Sequence, residues 1–240
     1  MLVSIIIPAK NEERNLERLL KQLRQQSFQD YEVVVADAQS TDHTREVAKR
    51  LGAKVVAGGL PGAGRNLGAA ASHGELLIFM DADGVLPHKH FLRDIIKEFH
   101  LRRLDIAAIP VEPFQGTWAD RLLFRFYNIY ARLTTRILPH AVGACMIVKR
   151  FLHDQIGGFD ETITLAEDMH YARQAAQVGE FDILHSHTIQ TAMRRLRKEG
   201  RVRLAIKYIL GELHMVLKGP IRGHIPYMFD YEEDTAKTKR

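Results

Sequence analysis

Cysteine is the scarcest chemistry in this chain of 240 residues: Cys145 is the single one, so no disulfide can form within the chain. A reducing, cytoplasmic setting is expected. No Cys/His spacing resembles a zinc site. Also missing is any run of about 18 or more apolar residues, the length that a membrane-crossing helix needs. The N-terminus enters a strand-like run at once, without the charged and then apolar segments of a secretory leader. Internal repeats and a clear linker are absent, and the basic stretches carry no known nucleic-acid motif, which argues against a nucleic-acid partner. What remains is one α/β domain, or a domain with a helical appendage, and the hydrophobic fraction of 46% is ordinary for a globular core. The net charge of +5 points to an anionic partner, be it nucleic acid, a lipid surface or a phosphorylated substrate.

The first ninety residues alternate apolar strand-like runs with helical periods. Leu2 to Ile7 is a strand stopped by Pro8, and Asn11 can cap a helix carrying Leu16, Leu19, Leu20 and Leu23 at helical spacing. Tyr31 to Ala36 is a second strand ending in Asp37, and Ser40-Thr41-Asp42 caps a helix to about Leu51. Ala53 to Ala57 is a third strand, Gly58 to Gly64 a loop, and Arg65 to His73 a helix. Such alternation predicts a parallel, doubly wound sheet with ligands outside the carboxyl ends of its strands. Further on, His90 to Arg103 reads as a helix, Asp105 to Val111 as a strand and Trp118 to Leu138 as a longer amphipathic helix. Gly143 to Val148 follows as a strand, Glu167-Asp168 opens a helix to about Val178, and Phe181 to Ile189 is a last extended segment.

Leu76 to Met80 has the character of a strand buried on both faces, and it ends in Asp81-Ala82-Asp83. Two carboxylates at one strand end repel each other, so the pair makes sense with a divalent cation or a partner base. A turn cap with Gly84 is the plainer alternative.

The segments VSIIIPAKNEERNL, VVVADAQSTDHT, GAGRNLGAAASHGELLIFMDADGVLP and GACMIVKRFLHDQIGGFDETITLAEDMHYARQA occur in the order of the family 2 glycosyltransferases, which they resemble over residues 1 to about 195. The resemblance implies the GT-A fold, a Rossmann-like three-layer αβα arrangement with a mostly parallel central sheet. It also implies transfer of a sugar, with inversion, from a nucleotide-diphosphate sugar to an acceptor hydroxyl or lipid-linked phosphate, with Mg²⁺ or Mn²⁺ as cofactor. Pro8, Ala9 and Glu12 match the loop that holds the nucleoside, and Asp37 matches the carboxylate that hydrogen-bonds the base. Uracil N3 and guanine N1 both offer an N–H to such a carboxylate, so Asp37 does not choose between UDP and GDP. Many relatives place a second acid next; here Ala38 and Gln39 follow.

Gly64, Arg65, Asn66 and Gly68 match the glycine-bearing loop before the donor-binding helix, where Arg65 would supply charge at a helix N-terminus. Asp81 and Asp83 match the metal motif, and Asp168 matches the general base of the acidic pair Glu167-Asp168. Past these the match thins. His185 and His187 lie where relatives carry a histidine ligand, which makes His187 the candidate third metal ligand, and Arg194 or Arg195 are candidates to reach the donor diphosphate.

Two basic stripes complete the reading. Trp118 to Leu138 sets Arg121, Arg125, Arg132 and Arg136 on one face, opposite Leu122, Phe126, Ile129, Tyr130, Leu133 and Ile137. Arg203, Lys207, His214 and Lys218 stripe a later helix built from Leu204, Ile206, Ile209, Leu210, Leu213, Val216 and Leu217. The pattern suits either helices covering the sheet or interfacial helices on anionic lipid, hence an expected peripheral contact with the inner face of a membrane and a lipid-linked acceptor. The expected organisation is a transferase domain over 1–192, with a nucleotide-sugar half at 1–90 and an acceptor half at 91–192. A basic helical appendage over 193–228 and a polar tail over 229–240 follow. Two alternatives stay open: a sugar-phosphate nucleotidyltransferase, whose glycine-rich, lysine-bearing loop after the first strand is missing here, and a non-enzymatic basic membrane- or nucleic-acid-binding module.

Overall fold

A computed structural model of the chain describes residues 1–222. The first half follows the expected alternation: β1 (Val3–Ala9), α1 (Glu13–Arg24), β2 (Tyr31–Asp37), α2 (Thr44–Arg50), β3 (Lys54–Ala57), α3 (Pro61–Ala70) and β4 (Leu76–Met80). β4 is apolar throughout because both of its faces are covered. α1 turns Leu16, Leu19, Leu20 and Leu23 onto the sheet, and all four are buried. Then come α4 (Phe91–Leu101), β5 (Ile106–Ala108), β6 (Val111–Pro113), α5 (Trp118–Thr134), β7 (Cys145–Lys149), α6 (Arg150–Gln155), β8 (Ile163–Leu165) and α7 (Glu167–Ala176). The chain closes with β9 (Phe181–Ile183), β10 (Ile189–Thr191), α8 (Arg194–Glu199), α9 (Arg201–Lys218) and β11 (Ile221–Arg222).

The main sheet has the order β3-β2-β1-β4-β7-β5-β9. Its strands pair parallel except β7, which runs antiparallel to both β4 and β5. Strand order reverses direction at β1, which opens a crevice beyond the carboxyl ends of β1 and β4. Register sets Ala9 beside Asp37 on that edge, and Asp81 follows the last paired residue of β4, Met80. Two small sheets pair β6 with β10 and β8 with β11.

Several expectations need correction. The Gly58–Gly64 stretch is not all loop, because Pro61 supplies the first residue of α3 and its missing N–H costs nothing there. Asp105 to Val111 splits into β5 and β6 around Pro110, and Phe181 to Ile189 splits into β9 and β10, which belong to different sheets. Asn11 is not the cap of α1: it adopts a left-handed φ of 54°, and its side-chain oxygen accepts from the Thr41 backbone N–H. The arginines of α5 do not lie opposite its large apolar residues. Both sets face outward as adjacent stripes about 90° apart, while Asp120, Tyr127, Asn128 and Ala131 turn inward. No helix among the described residues is long and apolar enough to cross a membrane. The appendage expected over 193–228 lies partly, and the tail over 229–240 wholly, outside the described residues.

Candidate active site

On the β1–β2 side, two loops are laced together at the carboxyl edge of the sheet. The Ala9 carbonyl accepts from Ala38, the Asn11 amide donates to Ser40 Oγ, and the Glu12 amide donates to Thr44 Oγ1 at 2.9 Å. Pro8 sits under α3, and a Cβ on Gly64 would stand 3.3 Å from the Pro8 Cβ, so this glycine lets the helix approach the strand. Asp37 is buried. Its Oδ2 accepts from the Ser40 amide at 3.1 Å and pairs with Arg45 Nε at 3.0 Å, whereas its Oδ1 is buried with no partner among the described residues. A buried, unsatisfied carboxylate oxygen is costly, and an incoming N–H removes that cost.

Arg65 joins the two halves of the molecule. Its guanidinium is 2% exposed, reaches Asp81 Oδ1 at 2.9 Å and Glu167 Oε1 at 2.6 Å, and lies over the Phe159 ring. Burial works against its charge, but Asp81, Glu167 and Asp168 together hold its pKa above the usual value. Because α3 begins at Pro61, Arg65 belongs to the second turn and not to a helix N-terminus. Gly143 is what makes room: a Cβ there would stand 2.3 Å from Arg65 Nη2. The Gly143 amide also donates to Asp168 Oδ2, and the Met169 amide donates to Asp168 Oδ1. Burial first, and the neighbouring Glu167 second, push the Asp168 carboxyl up to about 7 against the opposing pull of Arg65.

Asp83 is a second raised carboxyl. Burial, then Asp81, then Glu12 push it up to about 6, with Arg194 and Arg18 opposing. No side chain among the described residues hydrogen-bonds its carboxylate; Arg18 Nη2 donates instead to its backbone carbonyl. Glu12 is held by Asn15 and pairs with Arg194 Nη2 at 2.7 Å, which brings α8 over the loop that follows β1. Arg195 lies in α8, and its side chain is outside the described residues.

His187 is not gathered with Asp81 and Asp83. Its Nε2 lies 3.1 Å from Asp94 Oδ2 and its Nδ1 lies 3.3 Å from His88 Nε2, while the His90 amide donates to His88 Nδ1. These three side chains form one tight cluster of ligand-type atoms. The His90 amide fixes the tautomers in sequence: His88 donates to His187, and His187 donates to Asp94. Every ring nitrogen is thus already engaged.

The sequence reading also passed over residues that matter here. Gly143 was legible only as a strand start, and Arg18 only as a polar position on α1. Asn66, expected in the donor loop, instead clamps the Gly157–Phe159 turn: it donates to the Phe159 carbonyl and accepts from the Phe159 amide.

A mostly parallel sheet with a strand-order reversal and an acidic pair at the end of its fourth strand has the architecture of the GT-A glycosyltransferases. The profile described as "Glycosyl transferase family 2" matches residues 4–157, and the chain belongs to that family. Among curated relatives, the 4,4'-diaponeurosporenoate glycosyltransferase of Staphylococcus haemolyticus is 42% identical over 121 residues, which is 47% of this chain and 32% of the relative. The chain therefore spans about a third of that relative's length. Among solved structures, the mannosyltransferase PcManGT from Pyrobaculum calidifontis, in complex with GDP-Man and Mn²⁺, aligns with a TM-score of 0.71 and 22% identity over 92% of this chain and 65% of that one. TarS 1-349 of S. aureus, in complex with UDP-GlcNAc, aligns with a TM-score of 0.66 and 20% identity over 90% of this chain and 73% of that one.

Proposed function

We propose that this glycosyltransferase moves a sugar from a UDP- or GDP-linked donor to an acceptor hydroxyl, with Mg²⁺ or Mn²⁺ and with inversion at the anomeric carbon. The observation that carries the reading is the Arg65 bridge, because one buried guanidinium ties Asp81 on the donor edge to Glu167 beside Asp168. Asp81 and Asp83 suit a hard divalent cation: they are oxygen ligands at a strand end, and burial, then Asp81, then Glu12 weigh against the charge of Asp83, a cost that a bound cation would offset. When bound, such an ion supplies Lewis acidity toward the departing nucleoside diphosphate.

The chain's own residues divide the remaining work. Asp37 Oδ1 accepts from the base N–H, within the frame of Pro8, Ala9 and Glu12. Gly64 admits the backbone closely, and Arg194 and Arg195 are assigned to the diphosphate. Asp168 takes the proton of the acceptor hydroxyl while that oxygen bonds to the sugar C1 from the side opposite the diphosphate, and the bond from C1 to the diphosphate oxygen breaks. A base whose pKa lies near neutrality suits this step. The solved relatives carry UDP-GlcNAc in one case and GDP-Man in the other, so both bases stay in the reading. The same reading sets the reaction in the cytoplasm at the inner face of a membrane, supported by the lone thiol and by basic, apolar helices.

A thermal-shift panel of UDP- and GDP-sugars with and without Mn²⁺ tests this, since a ligand at a hundred times its Kd adds about 2.7 kcal/mol to the folded state. We expect sugars of one base to raise Tm only with Mn²⁺, Asp81→Asn to abolish that dependence, and Asp168→Asn to keep binding but lose transfer. A shift independent of both metal and Asp81 would sink the reading. Pyrophosphate release from a nucleoside triphosphate and a sugar phosphate would replace it with nucleotidyl transfer.

A further inference from the structure

α5 and α9 leave their largest apolar side chains in water. On α5, Phe126 is 63%, Leu133 81% and nearby Ile137 89% exposed, along the same stripe as Leu122 and Ile129. On α9, Val202, Ile206, Ile209, Leu213 and Leu217 form the corresponding stripe. Each stripe is flanked on one side by cations: Arg121, Arg125, Arg132 and Arg136 on the first helix, and Arg203 and Lys218 on the second. Acidic groups are missing from both faces. The acids within residues 118–138 and 201–218 are Asp120 and Glu212, and both turn inward to pair with Arg201 and Arg173.

The helices lie side by side. Arg201 at the start of α9 bonds Asp120 and Thr117 at the start of α5, and Leu204 packs with Leu123 and Phe124. Their inner sides wall the base: Tyr127 feels the Asp168 charge, and Met215 of α9 packs with Leu165, Ala166 and Met169. Among the described residues, a surface that is apolar, rimmed by cations and free of acids from its own two helices therefore backs onto the Asp168 side of the site.

We infer that the outward faces of α5 and α9 dock on an anionic lipid surface, with the Asp168 side of the site held against it, so that the acceptor reaches Asp168 from the lipid. The charge pattern selects this occupant. Lipid phosphates meet the flanking arginines while the stripe enters the acyl boundary, whereas a second copy of the chain seated face to face would bring like charges together. The lipid-borne acceptor rests on the glycosyl-transfer reading; the docking does not.

Trp118 is the chain's single tryptophan, and it stands exposed at the first turn of α5, which makes it a built-in reporter. The test titrates the full chain with phosphatidylcholine vesicles and with vesicles containing phosphatidylglycerol, reading Trp118 emission and co-sedimentation. We expect a blue shift and sedimentation with the anionic vesicles, reversed by salt, and at least tenfold weaker binding in Phe126→Glu/Leu133→Glu and in Ile209→Glu. Because these positions are exposed, their Tm and their Mn²⁺-dependent donor binding should match the parent. Absence of binding to anionic vesicles overturns the inference, as does equal binding to neutral ones. Self-association that these variants abolish, without vesicle binding, assigns the surface to a second copy instead. Failure of donor binding alone overturns the transferase reading and leaves the vesicle result standing.

Discussion

Arg65 carries more of the site than any other side chain, because its charge is nearly out of water and two carboxylates depend on it. Removing one member of a buried pair costs about 3–5 kcal/mol, and the partial exposure of Asp81 lowers the expectation here to about 2–3 kcal/mol. Arg65→Met should therefore show that loss in urea denaturation. Arg65→Lys should recover stability only in part, since one ammonium cannot span both carboxylates as a fork does. Asp168 makes a second prediction at this scale. If it is the general base proposed above, its carboxylate is the working form, so kcat should rise with pH through about 7 and then level, and Asp168→Asn should flatten the profile at a low value. The stability sign is opposite. A folded pKa raised above the unfolded value of about 3.9 means that this group's contribution is fully present below about pH 4 and is lost as pH rises through about 7. Chemical denaturation across that range should show a decline in the parent that is missing in Asp168→Asn. The enzyme is thus expected to be least favoured by this residue where it is most active.

At the scale of elements, the glycines of α3 explain where sequence reading succeeds and fails. Glycine in a helix interior costs roughly 1 kcal/mol relative to alanine, so a stretch with Gly62, Gly64 and Gly68 reads naturally as loop or weak helix. The helix exists because it packs directly onto β1: a Cβ on Gly68 would stand 2.4 Å from Ile6 Cγ2, and Ile6 is fully buried. Gly68→Ala should therefore destabilise by about 1–3 kcal/mol despite alanine's better propensity, because the overpacked strand side chain has nowhere to go. A thermal melt that shows no change or a gain contradicts this packing account. The strands β1, β2 and β4 were legible because central parallel strands are continuous apolar runs, with Asp37 and Asp81 marking their ends. The faces of α5 were not, because helical period separates stripes without saying which one meets the core. Asp120 and Asn128 decide it: the first anchors Arg201, and the second binds both the amide and the carbonyl of Val111.

Across the whole molecule, the donor half could be read from local pattern, but the link to the acceptor half could not. Arg65 meets Glu167 across 102 residues of chain, and the Gly143 amide meets Asp168 across 25 residues that include β7, α6 and β8. Contacts of this kind exist only once β7 has inserted antiparallel beside β4 and set Cys145 opposite Met80. That placement also makes the two halves a single electrostatic unit. On the proposed reading, a donor and divalent cation at Asp81 and Asp83 would compete with Arg65 for the Asp81 carboxylate, and Arg65 would shift its pairing toward Glu167 and the first turn of α7. Coupling between two sites is typically worth about 1–3 kcal/mol, or roughly 5- to 150-fold in an equilibrium. Hydrogen exchange at the amides of Met169 and His170 should therefore slow by at least about fivefold when a binding nucleotide sugar is added with Mn²⁺. Glu167→Gln should retain donor binding while losing most of that protection, because the guanidinium no longer has an ionised partner on α7. Protection that survives in Glu167→Gln would mean that the donor reaches the acceptor half by a route other than Arg65.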